Sequence, residues 1–181
     1  MALQRRHLLA LSALSPLATL PALAQDKYPS RPLRIIVPLP VSGAADVSVR
    51  LLADAMQPAC GTLDCHGQVG RNMRLYGGRG LRLDPAANPA DGETTIAEYN
   101  ATYLSVVGLE PEALAAVLAD GGRRPERLTL IRKGRGTEKH KGGQQMIAGD
   151  PLDACITSWL RGAIDQAACK LVSDATRPGG P

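Results

Sequence analysis

Apolar and polar positions along this chain fall into blocks of different period. Residues 8–23 are almost wholly apolar and follow the basic pair Arg5 and Arg6. Leu33, Ile35, Ile36 and Val37, broken only by Arg34, predict a short buried strand over 33–37. Val47, Leu51, Leu52 and Ala55 then recur at helical spacing, predicting a helix over 46–56 that Pro58 should end. Residues 58–92 hold seven Gly and three Pro and no clear period, so they are expected to be irregular. Residues 94–97 predict a short strand. Residues 111–118 predict a helix, with Pro111 in its first turn, Glu112 beside it and Gly121 and Gly122 past its end. Leu128 and Leu130 alternate with Thr129 and Ile131, predicting a strand over 127–132. Asp150 and Pro151 open a last helix that runs through Ile156, Leu160, Ile164 and Ala168 to Leu171. This order of strands and helices predicts an α/β fold.

The first block reads as a secretory leader. Two arginines precede the apolar run, Pro16 and Pro21 lie within it, and Ala22, Leu23 and Ala24 form a small-x-small cleavage site. A transmembrane span needs about 20 apolar residues, more than this run supplies. The expectation is therefore a signal peptide over 1–24, export to the periplasm, one domain over 25–172 and a disordered tail over 173–181.

Composition narrows the means of building a core. There is no Phe, one Trp (Trp159) and four Tyr in 181 residues, so the core must rest on Leu, Ile, Val and Ala. Trp159 reads as a helix-packing residue. A formal charge of +4 is mild and partly carried by the leader, so it does not demand nucleic acid. Four cysteines in an exported chain invite disulfides. Cys60 and Cys65 are close enough in sequence for a small loop bridge. Cys155 and Cys169 fall on one expected helix, where fourteen residues span about 21 Å. They can pair only if that helix breaks, and Gly162 is the place for a break.

The block from Tyr28 to Val47, followed by Arg50, Leu51, Leu52 and Ala53, closely resembles the start of the mature substrate-binding receptors of tripartite tricarboxylate transporters, the Bug family. The family wording is Y-P-x-[RK]-P-[IL]-[RK]-[IL]-I-V-P-[FY]-x-x-G-G-x-x-D. Leu39 stands here in place of the usual aromatic residue, and Ser42 in place of the first glycine. Gly67, Gln68 and Val69, then Arg71, Asn72, Gly77 and Gly78, resemble a disrupted second strand and Gly-rich loop of that family. Residues 89–95 resemble its P-D-G-x-T turn with one residue inserted. The resemblance fades past Asn100. It implies a type II periplasmic-binding-protein-like lobe, here partial and with an irregular middle segment, from a truncated or frame-disrupted receptor. It also implies a small di- or tricarboxylate as ligand and membrane transporter subunits as partners.

The candidate binding loop is Pro40, Val41, Ser42, Gly43, Ala44, Ala45 and Asp46. Backbone N–H groups there can point at a carboxylate, aided by the helix N-terminus, while Asp46 is expected to be the N-cap. The basic stretch over 133–143 lacks the order of a phosphate loop and reads as a solvated loop. It has no interleaved aromatic residues for nucleic-acid stacking. Cys60, Cys65 and His66 match no common zinc spacing, and neither a metal nor a cofactor is expected. Cys155 with His140 is the one conceivable nucleophile and base, and no enzyme is expected. The leading reading is a periplasmic receptor for a small carboxylate. The alternatives are a truncated protein without ligand and a weakly basic periplasmic interaction module.

Overall fold

The computed structural model describes residues 43–87 and 92–175. All lie within Leu39–Pro181, one of two compact units into which the chain divides. The expected leader, the strand over 33–37, Pro40, Val41 and Ser42 lie outside the described residues.

Among the described residues six α-helices make up the regular structure: α1 (Ala44–Cys60), α2 (Ile96–Val107), α3 (Pro111–Ala119), α4 (Thr129–Gly134), α5 (Pro151–Leu160) and α6 (Gln166–Ala175). A 3-10 turn, Pro125–Arg127, precedes α4. Helix α1 packs on α2, α5 and α6, and α5 packs on α6. The core between them is aliphatic, as the lack of Phe requires: Leu52, Met56, Leu75, Val117, Ile131 and Ile156 are buried in one cluster. Trp159 lies against that cluster and meets Tyr103 edge-on, with ring centroids 6.5 Å apart.

The expected α/β character is not found among the described residues. Their one β-type pairing is an isolated bridge between Tyr76 and Leu81. Two expected strands are helical instead. At 94–97, Thr95 caps α2: its hydroxyl accepts from the Glu98 N–H, and the Glu98 carboxylate accepts from the Thr95 N–H. This reciprocal box satisfies two N–H groups that a helix start leaves open. At 127–132, Thr129 N–H and its hydroxyl both donate to the Glu110 carboxylate, each at 2.7 Å. Arg132 reaches back to the carbonyls of Glu126 and Arg127. A cap from outside the segment thus overrides a pattern that reads as a strand.

Helix α1 extends past its expected limits, and Pro58 sits inside its last turn rather than ending it. Helix α3 is as expected, and Gly122, at φ +70°, donates to the Val117 carbonyl to close it. The single helix expected from Asp150 to Leu171 is two helices. Gly162, at φ +78°, turns the chain between α5 and α6, and Cys155 and Cys169 are joined in a disulfide with Cα atoms 4.8 Å apart. Helix α6 continues to Ala175.

Residues 62–87 are irregular, as their Gly and Pro density predicts, yet they are tightly packed. Met73 and Leu75 are buried. Thr102 of α2 accepts from the Tyr76 N–H and donates to the Tyr76 carbonyl, and Ser105 accepts from the Arg74 N–H. Hydroxyls on one helix face satisfy backbone groups that a neighbouring strand would otherwise take. Gly77 allows the chain to cross the Gln57 amide, where a Cβ would collide.

Candidate functional site

At the N-terminus of α1 the described part of the expected loop is Gly43, Ala44, Ala45 and Asp46. Gly43, not Asp46, is the N-cap, and its carbonyl accepts from the Val47 N–H. Among the described residues no side chain caps this helix start. The first N–H groups of a helix have no intrahelical acceptor, so those of Ala44 and Ala45 have none within α1. Asp46 instead binds Arg50 one turn on, Oδ2 to Nε at 2.9 Å. Arg50 in turn lies 5.0 Å from the centre of the Tyr99 ring, and the Tyr99 hydroxyl donates to Asp54 at 2.9 Å. Burial, with Asp54 beside it, pushes the Tyr99 hydroxyl up to about 12. The chain Asp46, Arg50, Tyr99, Asp54 pins α1 to α2.

A second feature joins two segments that the sequence offers separately. A cavity of about 610 Å³ lies between residues 59–73 and residues 129–145. His66 and Arg71 come to it from the first segment, and Lys133, Lys139, His140 and Lys141 from the second. The His66 imidazole is fixed through Nδ1, which donates to the Met73 carbonyl at 2.9 Å when the ring is neutral. Burial lowers its pKa, the Met73 hydrogen bond acts against that, and the positive groups His140, Arg71 and Lys133 lower it further. These groups therefore share one electrostatic environment. The expected solvated basic loop is only partly that. Lys133 and Gly134 end α4, Gly134 accepts from the N–H groups of Gln145 and Met146, and Met146 is buried beneath them.

Neither Cys155 nor Cys60 offers a nucleophile here. Cys155 is bonded to Cys169, so it cannot act with His140. Cys60 and Cys65 are not bridged, and burial pushes the Cys60 thiol up to about 12, which keeps it protonated. Among the described residues no group of three His, Cys, Asp or Glu side chains is placed to hold a metal ion. Among them, too, no single helix is long and apolar enough to cross a membrane.

The buried ion pairs hold the fold rather than a ligand. Arg135 grips Asp153 with two hydrogen bonds at 2.8 and 3.0 Å, tying the basic stretch to α5. Arg82 and Glu98 tie the irregular segment to α2.

Comparison with known proteins agrees with the resemblance read from the N-terminal block. Protein BugT of Bordetella pertussis is 34% identical over 96 residues, covering 52% of this chain and 28% of that protein. The UPF0065 protein in gbd 5'region of Cupriavidus necator is 39% identical over 59 residues, covering 29% of this chain and 18% of that protein. The chain thus spans less than a third of the length of these curated relatives. No family model and no solved structure matches it. The similarity is to Bug-family receptors, over part of the chain.

Proposed function

We propose that this chain is an exported, periplasmic solute-binding receptor, or a part of one, of the tripartite tricarboxylate transporter kind. Its ligand on this reading is a small di- or tricarboxylate held at residues 40–46, and its partners are the membrane subunits of the transporter. The observation that carries the reading is the partial identity to Bug proteins, joined to a Bug-like loop that leads into a helix start capped by no described side chain. Ser42 would add a hydroxyl to the N–H groups of the first turn. Arg50 offsets the charge of Asp46, which would otherwise repel a carboxylate.

The expected affinity is low. A carboxylate at an exposed helix start gains about 0.3–1 kcal/mol from the dipole, and each hydrogen bond adds about 0.5–1.5 kcal/mol. Association costs at least about 4 kcal/mol. The balance puts the Kd near or above about 1 mM. Calorimetry of the full chain with succinate, malate and citrate tests this, repeated on Ser42→Pro, which removes a donor N–H and the hydroxyl. Weak binding lost in the variant supports the loop, and binding unchanged in the variant removes the site from it.

A second reading, a protein with no carboxylate ligand, is favoured by one observation. The described residues carry helices where a receptor lobe requires a sheet. Absence of binding by all three acids would support it.

A further inference from the structure

We propose that the cavity between residues 59–73 and 129–145 is a binding site for a small organic anion carrying at least two negative charges. It is a different place from the α1 N-terminal loop. Ala59 and Cys60, at the far end of α1, line it, and a helix of that length separates the two ends by about 25 Å. The proposal does not depend on the receptor reading.

Charge imbalance is the first argument. Arg71, Lys133, Lys139 and Lys141 bring four positive charges to the wall. Asp64 is the one carboxylate lining it. Of the four, Lys133 alone has an ion-pair partner among the described residues, Glu138 at 3.6 Å. Arg71 donates instead to the carbonyls of Cys65 and Asp64, at 3.1 and 3.3 Å, so its charge is held in place without being neutralised. Clustered uncompensated cations repel one another, and an anion among them relieves that repulsion.

His140 supplies the second argument, because its ring is held in place at the cavity wall. Gly142 lets the loop close on this ring, since a Cβ there would lie 2.7 Å from its Nε2. The loop is secured in that form by the Gln145 side-chain amide, which donates to the Gly142 carbonyl.

Size and lining define the ligand. About 610 Å³ is in the range of small-molecule pockets and exceeds the needs of a bare inorganic ion. Ala59, Met73, Leu109 and Leu130 give the cavity an apolar part for a carbon skeleton. Lysines act as point charges for phosphate or carboxylate alike, so the shared chemistry is multiple negative charge on a small organic body.

The test uses the full chain with citrate and ribose 5-phosphate as probes and pyruvate as a monoanionic control. Binding is read by calorimetry and by the His66 and His140 ring signals in NMR. Saturable binding of either multiply charged probe below about 10 mM is expected, with pyruvate weaker by about tenfold or more. The His66 pKa should rise when the probe binds, because an anion offsets its positive neighbours. Lys139 and Lys141 are exposed, so Lys139→Gln with Lys141→Gln should fold normally and weaken binding by about tenfold or more. Ser42→Pro should leave this binding intact, which separates it from the loop site. Binding of citrate alone assigns a polycarboxylate, and of ribose 5-phosphate alone a phosphate ester. No binding of either probe overturns the proposal. So does binding untouched by the double lysine variant, or binding abolished by Ser42→Pro.

Discussion

Arg82 donates through Nε to Oε1 of Glu98 at 2.7 Å, and both side chains are almost fully buried, 9% and 2% exposed. Glu98 also accepts from the N–H groups of Leu83 and Thr95. One carboxylate therefore caps α2 and anchors the irregular segment before it. Burial works to raise the Glu98 pKa, but Arg82 and the backbone donors outweigh it and hold the carboxyl at about 2. Its ordinary value is 4.5, so the folded state binds the proton more weakly than the unfolded chain. The contribution to stability is present above pH 4.5 and is lost as pH falls from there through about 2, in all roughly 3 kcal/mol. Glu98→Gln takes the buried carboxylate charge away from Arg82 and from the two N–H groups it accepts from, and should cost about 3–5 kcal/mol. Urea unfolding from pH 6 to 2 checks both points. The variant should be less stable at pH 6 and flatter below 4.5, and a pH profile parallel to the parent would refute the assignment.

The Cys155–Cys169 disulfide should be a main support of the α5–α6 pair. Both residues are completely buried, and the bridge spans fourteen positions. A loop of that size corresponds to about 3 kcal/mol in the chain-entropy model. Reduction, or Cys155→Ala with Cys169→Ala, should lower the urea midpoint accordingly, and an unchanged midpoint would show that the helices hold without it. The bond also fits an oxidising compartment, in keeping with the proposed export.

His66 should make stability depend on pH in a separate window. Its pKa is lowered from 6.5 by burial and by its positive neighbours, so the fold favours the neutral ring. Stability from this group is complete above pH 6.5 and is lost as pH falls below it toward the folded value. His66→Asn can still donate to the Met73 carbonyl but cannot titrate. It should remove the dependence just below pH 6.5, and Lys133→Gln should raise the His66 pKa by removing a neighbouring charge. An NMR titration of His66 that Lys133→Gln leaves unmoved would show that the cavity charges do not reach it.

The parts readable from sequence were those set by local order. Helices α1 and α3 follow from apolar spacing, Pro111 and Gly121–Gly122. Thr95 and Glu98 hold a capping-box spacing that announces α2, although the threonines at 94 and 95 favour a strand. Residues 128–131 are ambiguous in themselves. Leu128 and Leu130 read as one strand face, whereas Leu128 and Ile131, three apart, are the pair the fold buries. Glu110, nineteen residues away from Thr129, decides between them. The cavity was out of reach for the same reason: its two walls lie some seventy positions apart, and no local pattern joins them. Asp46 was misread because its spacing suits an N-cap, while Arg50 one turn later claims its carboxylate.

Glu110 therefore makes the sharpest test of what turns an alternating segment into a helix. Its two oxygens take the Thr129 N–H and hydroxyl, satisfying one of the open groups at the start of α4. Helix α4 has only six residues, too few to be stable alone, and Leu128 before it offers no capping oxygen. Glu110→Ala should cost about 1–2 kcal/mol, the scale of a lost cap with a hydrogen bond to a charged group. The loss should be local first: amide exchange should quicken across 131–136 and leave α1 and α5 unchanged under native conditions. Glu110→Gln keeps one acceptor oxygen and should fall between the parent and Glu110→Ala. Equal protection of α4 in all three proteins would mean that the grip of Arg132 on Glu126 and Arg127, and not the Glu110 cap, holds this segment helical.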